Sequence, residues 1–190
     1  MAVKVAKFGG SSLADATCFQ KVKRIVLSDP EILYVVPSAP GKRGAGDLKI
    51  TDLLYQTAEA ARTEGDYRAI FADVRERYLE IERELDLATN IERELDNIEK
   101  NIRDGASEDY IASRGEYLNG LLLAEYLGFT FLDAAEIVCF HTADGAYDDE
   151  TTQKWSSRLE NMRRVVVPGF YGRRRDGSIV SVQENALVVE

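Results

Sequence analysis

A lysine followed by two glycines offers the clearest chemistry near the amino terminus. Lys7-Phe8-Gly9-Gly10-Ser11-Ser12 closes a short apolar strand that runs from Val3 to Phe8. Glycine lets backbone N–H groups come close to a ligand, a helix start just after it adds partial positive charge, and lysine supplies a full charge. Together they suit an anion such as phosphate. Because the lysine precedes the glycines, the pattern is neither the GxxxxGK[ST] phosphate loop nor the GxGxxG dinucleotide fingerprint. Taken by itself, Gly-Gly after a strand is often just a tight turn.

Other segments keep it company. Val36-Pro37-Ser38-Ala39-Pro40-Gly41-Lys42 places a second glycine-bearing loop after a second apolar run, Ile32 to Pro37. In an open parallel sheet, ligands lie outside the carboxyl ends of the strands, so the two loops are expected on one edge with Lys7 pointing into it. Ser113-Arg114-Gly115-Glu116 sets an arginine and a glutamate in a helix that also carries Gly120. Each interior glycine costs about 0.5–1 kcal/mol against alanine, which suggests ligand approach or, more plainly, close helix packing.

The elements that would position these groups emerge from periodicity. A helix is expected from about Ala14 to Leu27, ended by Ser28-Asp29-Pro30, and a loop spans Ser38 to Asp47. Ile50 to Glu64 reads as a helix, and Tyr67 to Ile102 as charged and amphipathic. The latter holds an identical repeat, Ile81 to Asp86 and Ile91 to Asp96. Ten residues is not a whole number of helical turns, so a turn at Leu87 to Asn90, with Thr89 or Asn90 capping the second copy, is expected. A third major helix covers Ser107 to Leu127, with Gly128 at its C′ position. Phe129 to Asp133 and Val165 to Pro168 read as strands, Asp149 to Arg163 as a helix, and Asp176-Gly177 as a hairpin turn. Strands with consecutive apolar residues, alternating with helices, mean an α/β fold around a largely parallel sheet.

Composition narrows the function classes. The 190 residues carry a formal charge of −9 and no long basic face, which argues against nucleic acid. Arg173-Arg174-Arg175 reads as a solvated hairpin turn. No segment has the ~20 apolar residues needed to span a bilayer, and the start of the chain is no signal peptide. Two cysteines, Cys18 and Cys139, make no disulfide framework, so a cytoplasmic protein with reduced thiols is expected. With one histidine, His141, and no ligand spacing around it, no metal site is expected.

The four segments Lys7 to Ser12, Pro37 to Lys42, Ser113 to Leu118 and Val167 to Gly172 resemble, in order and context, the signature stretches of aspartate kinases. The resemblance runs from Val3 to about Val180. It implies the amino acid kinase fold, a three-layer α/β/α sandwich, with residues 1–190 as its amino-terminal, substrate-binding part and no regulatory ACT domain. It implies transfer of the γ-phosphoryl group of MgATP to the β-carboxylate of L-aspartate, a step in amino-acid biosynthesis. Lys7 would be catalytic, neutralising charge on the transferred group. Gly9, Gly10 and Ser11 would hold phosphates, Ser38 and Thr51 would border the aspartate, and Glu116 would bind its ammonium. Simpler roles exist for some: Ser38 satisfying loop backbone, Thr51 capping the Ile50 helix, Glu116 pairing with Arg114 or Lys100.

One expected stretch has no counterpart. In aspartate kinases an arginine, two glycines, a serine and an aspartate come soon after the last motif, and then a lobe for adenine and ribose. Here Gly177-Ser178-Ile179-Val180 leads into Ser181 to Glu190 with no such run. The 190-residue chain is therefore expected to be catalytically incomplete. Two other readings are a non-catalytic module that pairs with itself or with a full-length kinase subunit, and an acyl-phosphate-forming kinase of another amino acid such as glutamate.

Overall fold

A computed structural model describes residues 3–142 and 145–182; the carboxyl-terminal stretch 183–190 lies outside the described residues. Strand β1 (Lys4–Phe8), helix α1 (Ala16–Ser28) and strand β2 (Ile32–Pro37) form the first unit, with the strands parallel and Phe8 level with Pro37. Because both strands end at the same height, the chain leaves them on the same edge. Strands β3 (Thr130–Phe131) and β5 (Val165–Val166) complete a parallel sheet in the order β1-β2-β5-β3. A second, smaller sheet pairs β4 (Cys139–Phe140) with β6 (Tyr171–Arg174) in parallel and β6 with β7 (Ile179–Ser181) in antiparallel fashion.

Neighbouring strand residues face opposite sides of a sheet, and here both sides are partly buried. Val35 and Val166 join a large core with Phe19 of α1, Leu54 of α2 (Ile50–Arg62), Phe71 of α3 (Tyr67–Glu84), Ile91 of α4 (Ile91–Arg103) and Leu118 of α5 (Glu108–Leu127). Val165, beside Val166, joins a smaller cluster with Leu132 and Ile137, and Tyr34, Leu159 and Met162 pack against it. The hydroxyl of Tyr34 donates to the carbonyls of Leu159 (2.8 Å) and Met162 (3.1 Å), fixing that cover. At β1 the second face is bare, and Val5 is 66% exposed.

The repeat resolves as a turn between two helices. Ile81 and Leu85, like Ile91 and Leu95, are all buried, so both copies present the same pair to the core. Asp86 (φ 52°) and Asn90 (φ 56°) take left-handed conformations in between. Asn90 occupies the cap position but its side chain makes no capping bond. Glu82 accepts from the N–H of Ile91 instead, and Glu125 of α5 accepts from the N–H of Ala88 and the hydroxyl of Thr89.

Several boundaries differ from expectation: the strand predicted over Val165 to Pro168 is Val165–Val166, and the helix predicted over Ile50 to Glu64 ends at Arg62. The helix predicted over 149–163 is α6 (Asp149–Ser156) followed by a 3₁₀ turn, Ser157–Asn161, because Leu159 and Met162 must meet Tyr34. The strand predicted from Phe129 shortens to two residues, since Gly128 (φ 70°) is still closing α5. The first helix begins at Ala16 rather than Ala14, where Asp15 caps it. The basic cluster is consumed internally: Arg175 pairs with buried Asp148 at 2.7 Å, Arg173 stacks on Trp155, and Arg174 donates to Ser178. Both cysteines are free thiols. Among the described residues no helix is long and apolar enough to cross a membrane.

Candidate active site

Two loops meet at the carboxyl edge of the sheet. After β1 the chain makes a 3₁₀ turn, Gly10–Leu13, pinned by the fully buried Leu13, with the N–H of Ser12 donating to the Gly9 carbonyl at 2.9 Å. The N–H of Gly41 donates to the Gly10 carbonyl, also at 2.9 Å, joining the loops backbone to backbone. A Cβ on Gly10 would sit 2.8 Å from the Ala39 carbonyl oxygen, and one on Gly41 would sit 2.7 Å from the Gly10 carbonyl carbon. These two positions need glycine for the close approach. Gly9 differs: its φ of −74° is open to any residue and nothing lies within 4 Å of a Cβ there.

The expected contribution of the helix start needs correction. The first amides of α1 are answered by Asp15, whose carboxylate accepts from the N–H of Cys18 at 2.8 Å. The end of α1 is thus occupied by its own cap, and the glycines lead into the 3₁₀ turn rather than into the helix. Lys7 sits near the end of edge strand β1, its backbone paired with Val36 and its exposed side chain without a hydrogen bond or ion pair to another described residue. The expectation that it is kept away from bulk solvent does not hold. The bare outer face of β1 leaves it open to water.

Glu116 arrives from α5. It is buried, and its Oε1 accepts from the N–H of Ala39 at 3.1 Å, so the carboxylate lies directly under the second loop. Gly115 beside it would place a Cβ 2.8 Å from that of Ala39, and Gly120 would meet Phe131 and Pro168 at 2.9 Å. Both helix glycines are therefore explained by packing. Ser38 donates its N–H to Phe8 and accepts at its carbonyl from the amide of buried Asn119 at 2.6 Å. Thr51 is half-buried at the second position of α2; Lys49 holds the cap position, so Thr51 is not a cap.

Arg114 takes no part in this loop junction. Its guanidinium bonds to Ser113 Oγ and lies against the rings of Tyr110, Tyr117 and Tyr171, 4.5 to 5.3 Å from their centroids. Lys100 pairs with Asp104, just past the end of its own helix, at 2.8 Å. The Tyr171 contact ties the fourth motif to α5; the Tyr171 hydroxyl also donates to Asp133 at 2.8 Å, and Ser181 of β7 donates to Asp109 of α5. The N–H of Gly169 donates to the Pro37 carbonyl at 3.2 Å, and Phe170 adopts a left-handed φ of 75°. All four motifs thus converge at the carboxyl edge of β1 and β2.

Two supporting residues carry no motif. Asn119 is one; the other is Arg77, buried in α3 and reaching both loops. A charged residue on the apolar stripe of Val74, Tyr78 and Ile81 was the available signal. Arg77 bonds Asp47 at 2.6 Å, and Arg43 donates to the same carboxylate through its backbone N–H and its guanidinium. Burial alone would raise the Asp47 carboxyl; the Arg43 hydrogen bonds and the Arg77 and Arg43 charges outweigh it and hold it at about 2. With the folded value below the usual 3.8, this stabilisation is complete above that value and is lost as pH falls toward 2. The stability lost between neutral pH and pH 2, measured by denaturant titration at each pH, should therefore be larger for wild type than for Asp47→Asn. Identical acid profiles would remove Asp47 from the acid transition.

Comparison with known proteins agrees with this architecture. Residues 2–187 match the model of the amino acid kinase family. The chain belongs to the amino acid kinase family. It is 34% identical to aspartokinase 3 of Bacillus subtilis (strain 168) over 94% of its own length and 42% of that relative. The aspartate kinase of Clostridium acetobutylicum superposes with a TM-score of 0.93 at 42% identity, over 98% of this chain and 43% of that one. Escherichia coli aspartokinase III, solved in complex with aspartate and ADP, superposes at 0.77 with 26% identity, over 97% and 44%. The chain spans less than half the length of these relatives.

Proposed function

We propose that this chain is the substrate-binding part of an aspartate kinase, built to hold L-aspartate and the phosphates of MgATP at the carboxyl edge of its sheet. The convergence of the Gly9-Gly10 loop, the Ser38–Gly41 loop, Glu116 and Gly169 at that edge carries the reading. Lys7 neutralises charge on the transferred phosphoryl group, and Gly9, Gly10 and Ser11 present amides to the phosphates. Ser38 and Thr51 border the aspartate, whose ammonium meets Glu116. A buried carboxylate is an acceptor only, which suits a cationic donor. Phosphoryl transfer needs little covalent chemistry from the protein and much positioning and charge stabilisation.

The residues fit a polyphosphate. Lys7 has no competing carboxylate among the described residues, and the space before Gly9 is open where a side chain would project. Magnesium would travel with the nucleotide and add positive charge at its phosphates. Among the described residues no three carboxylate, cysteine or histidine groups gather to hold a metal by themselves.

Calorimetric titration with ATP tests the reading. Binding near millimolar, about −4 kcal/mol, is expected for the chain, since the amides and Lys7 are local to one strand and one turn. Lys7→Ala should weaken it. Gly9→Ala should weaken it too while leaving the melting temperature unchanged, because its Cβ meets only the ligand's space. Equal affinities for wild type and both variants would remove Lys7 and Gly9 from the site.

A further inference from the structure

The geometry points to Arg77 as a positioning residue that sets the gap between the two loops. It lies on α3, outside all four motifs, and is 3% exposed. One guanidinium nitrogen donates to the Gly41 carbonyl at 3.0 Å and reaches the Ala14 carbonyl at 3.5 Å. The other donates to the Asp47 carboxylate at 2.6 Å. Ala14 directly follows the 3₁₀ turn of the first loop, Gly41 is the contact residue of the second, and Asp47 stands near that loop's end. A single planar cation therefore grips both loops from beneath.

The grip acts on the bond that joins them. Gly41 donates its N–H to the Gly10 carbonyl, and no side chain at either glycine locks the pair. In a trans peptide the carbonyl and the following N–H point opposite ways, so the Gly10 carbonyl direction also sets where the Ser11 N–H aims. Holding Gly41 by its own carbonyl thus orients an amide that the proposed function directs to phosphate. Arginine suits the task because its fork is rigid, whereas lysine offers a single flexible point charge. On the outer side Arg43 bonds Asp47 and Glu80 of α3, bracing the same loop from the surface.

Residue-resolved amide exchange and ATP titration on the 190-residue protein test this role; the titration rests on the proposed function, the exchange does not. In Arg77→Met the Gly41 amide should exchange about tenfold faster than in wild type, while Leu122 in the middle of α5 keeps its rate. ATP affinity should fall about tenfold, roughly the loss of one hydrogen bond to a charged group. Arg77→Lys should recover part of both. If Arg77→Met fails to fold, Asp47→Asn decides, since it releases one arm of the guanidinium from a half-buried position. Gly41 exchange that stays at the wild-type rate, or that rises only in step with Leu122, would overturn the role. Wild type that binds no ATP would sink the phosphate reading and leave the Gly41 exchange to judge Arg77.

Discussion

Purified protein of these 190 residues, given MgATP and L-aspartate, is expected to form no aspartyl phosphate detectable by hydroxamate trapping. On the proposed function, Lys7 and the glycine-loop amides would meet phosphate and Glu116 an amino acid's ammonium. The sequence contains no arginine-glycine-glycine-serine-aspartate run, and it spans less than half of the aspartate kinases it matches. Holding both reactants together contributes roughly 7–11 kcal/mol of barrier lowering. Removing one reactant's cradle should therefore remove most of the rate rather than a modest fraction. Robust hydroxamate formation, abolished by Lys7→Ala or Glu116→Ala, would show that this polypeptide completes the site with other groups.

Gly41→Ala is expected to be the most damaging single substitution at the loop junction. Its Cβ would lie 2.7 Å from the Gly10 carbonyl carbon and 2.8 Å from the Ser11 nitrogen, and backbone cannot step aside as a flexible side chain can. Overpacking of this kind costs about 1–3 kcal/mol. In a domain this size each kcal/mol lowers the melting midpoint by about 2–4 °C. The Gly41–Gly10 hydrogen bond should be lost with it, and ATP binding too. For melting, Gly9→Ala is the control, since open space and an ordinary φ leave its fold untouched. A Gly41→Ala protein that melts and binds like wild type would mean the loops do not meet as described.

Local features were legible in the sequence to a degree that distant ones were not. Strand β2 came with its bounds, Ile32 to Pro37, because its apolar run is unbroken. The turn inside the repeat was implied by ten residues failing to make whole helical turns, and Asp86 and Asn90 carry it out. Three of the four motifs marked the carboxyl-edge loops, since glycine and proline chemistry is local. The broken helix after Asp149 was not readable, because its cause is the hydroxyl of Tyr34, more than a hundred residues earlier, reaching Leu159.

Residue types and spacing by themselves determined the α/β alternation, the glycine loops and the choice of Lys7 and Glu116 as charged groups to examine. Only the tertiary structure decided what each group faces. It gave the helix end after Lys7 to Asp15, turned Arg114 toward three tyrosines, and placed Glu116 beneath Ala39. It also revealed Arg77 as a link between loops that its own helix could not announce. The reason is one of range. Backbone propensity and turn chemistry act over a few residues, whereas a buried charge takes its meaning from partners brought close by packing, at separations of 30 to 77 residues for Arg77–Asp47 and Glu116–Ala39.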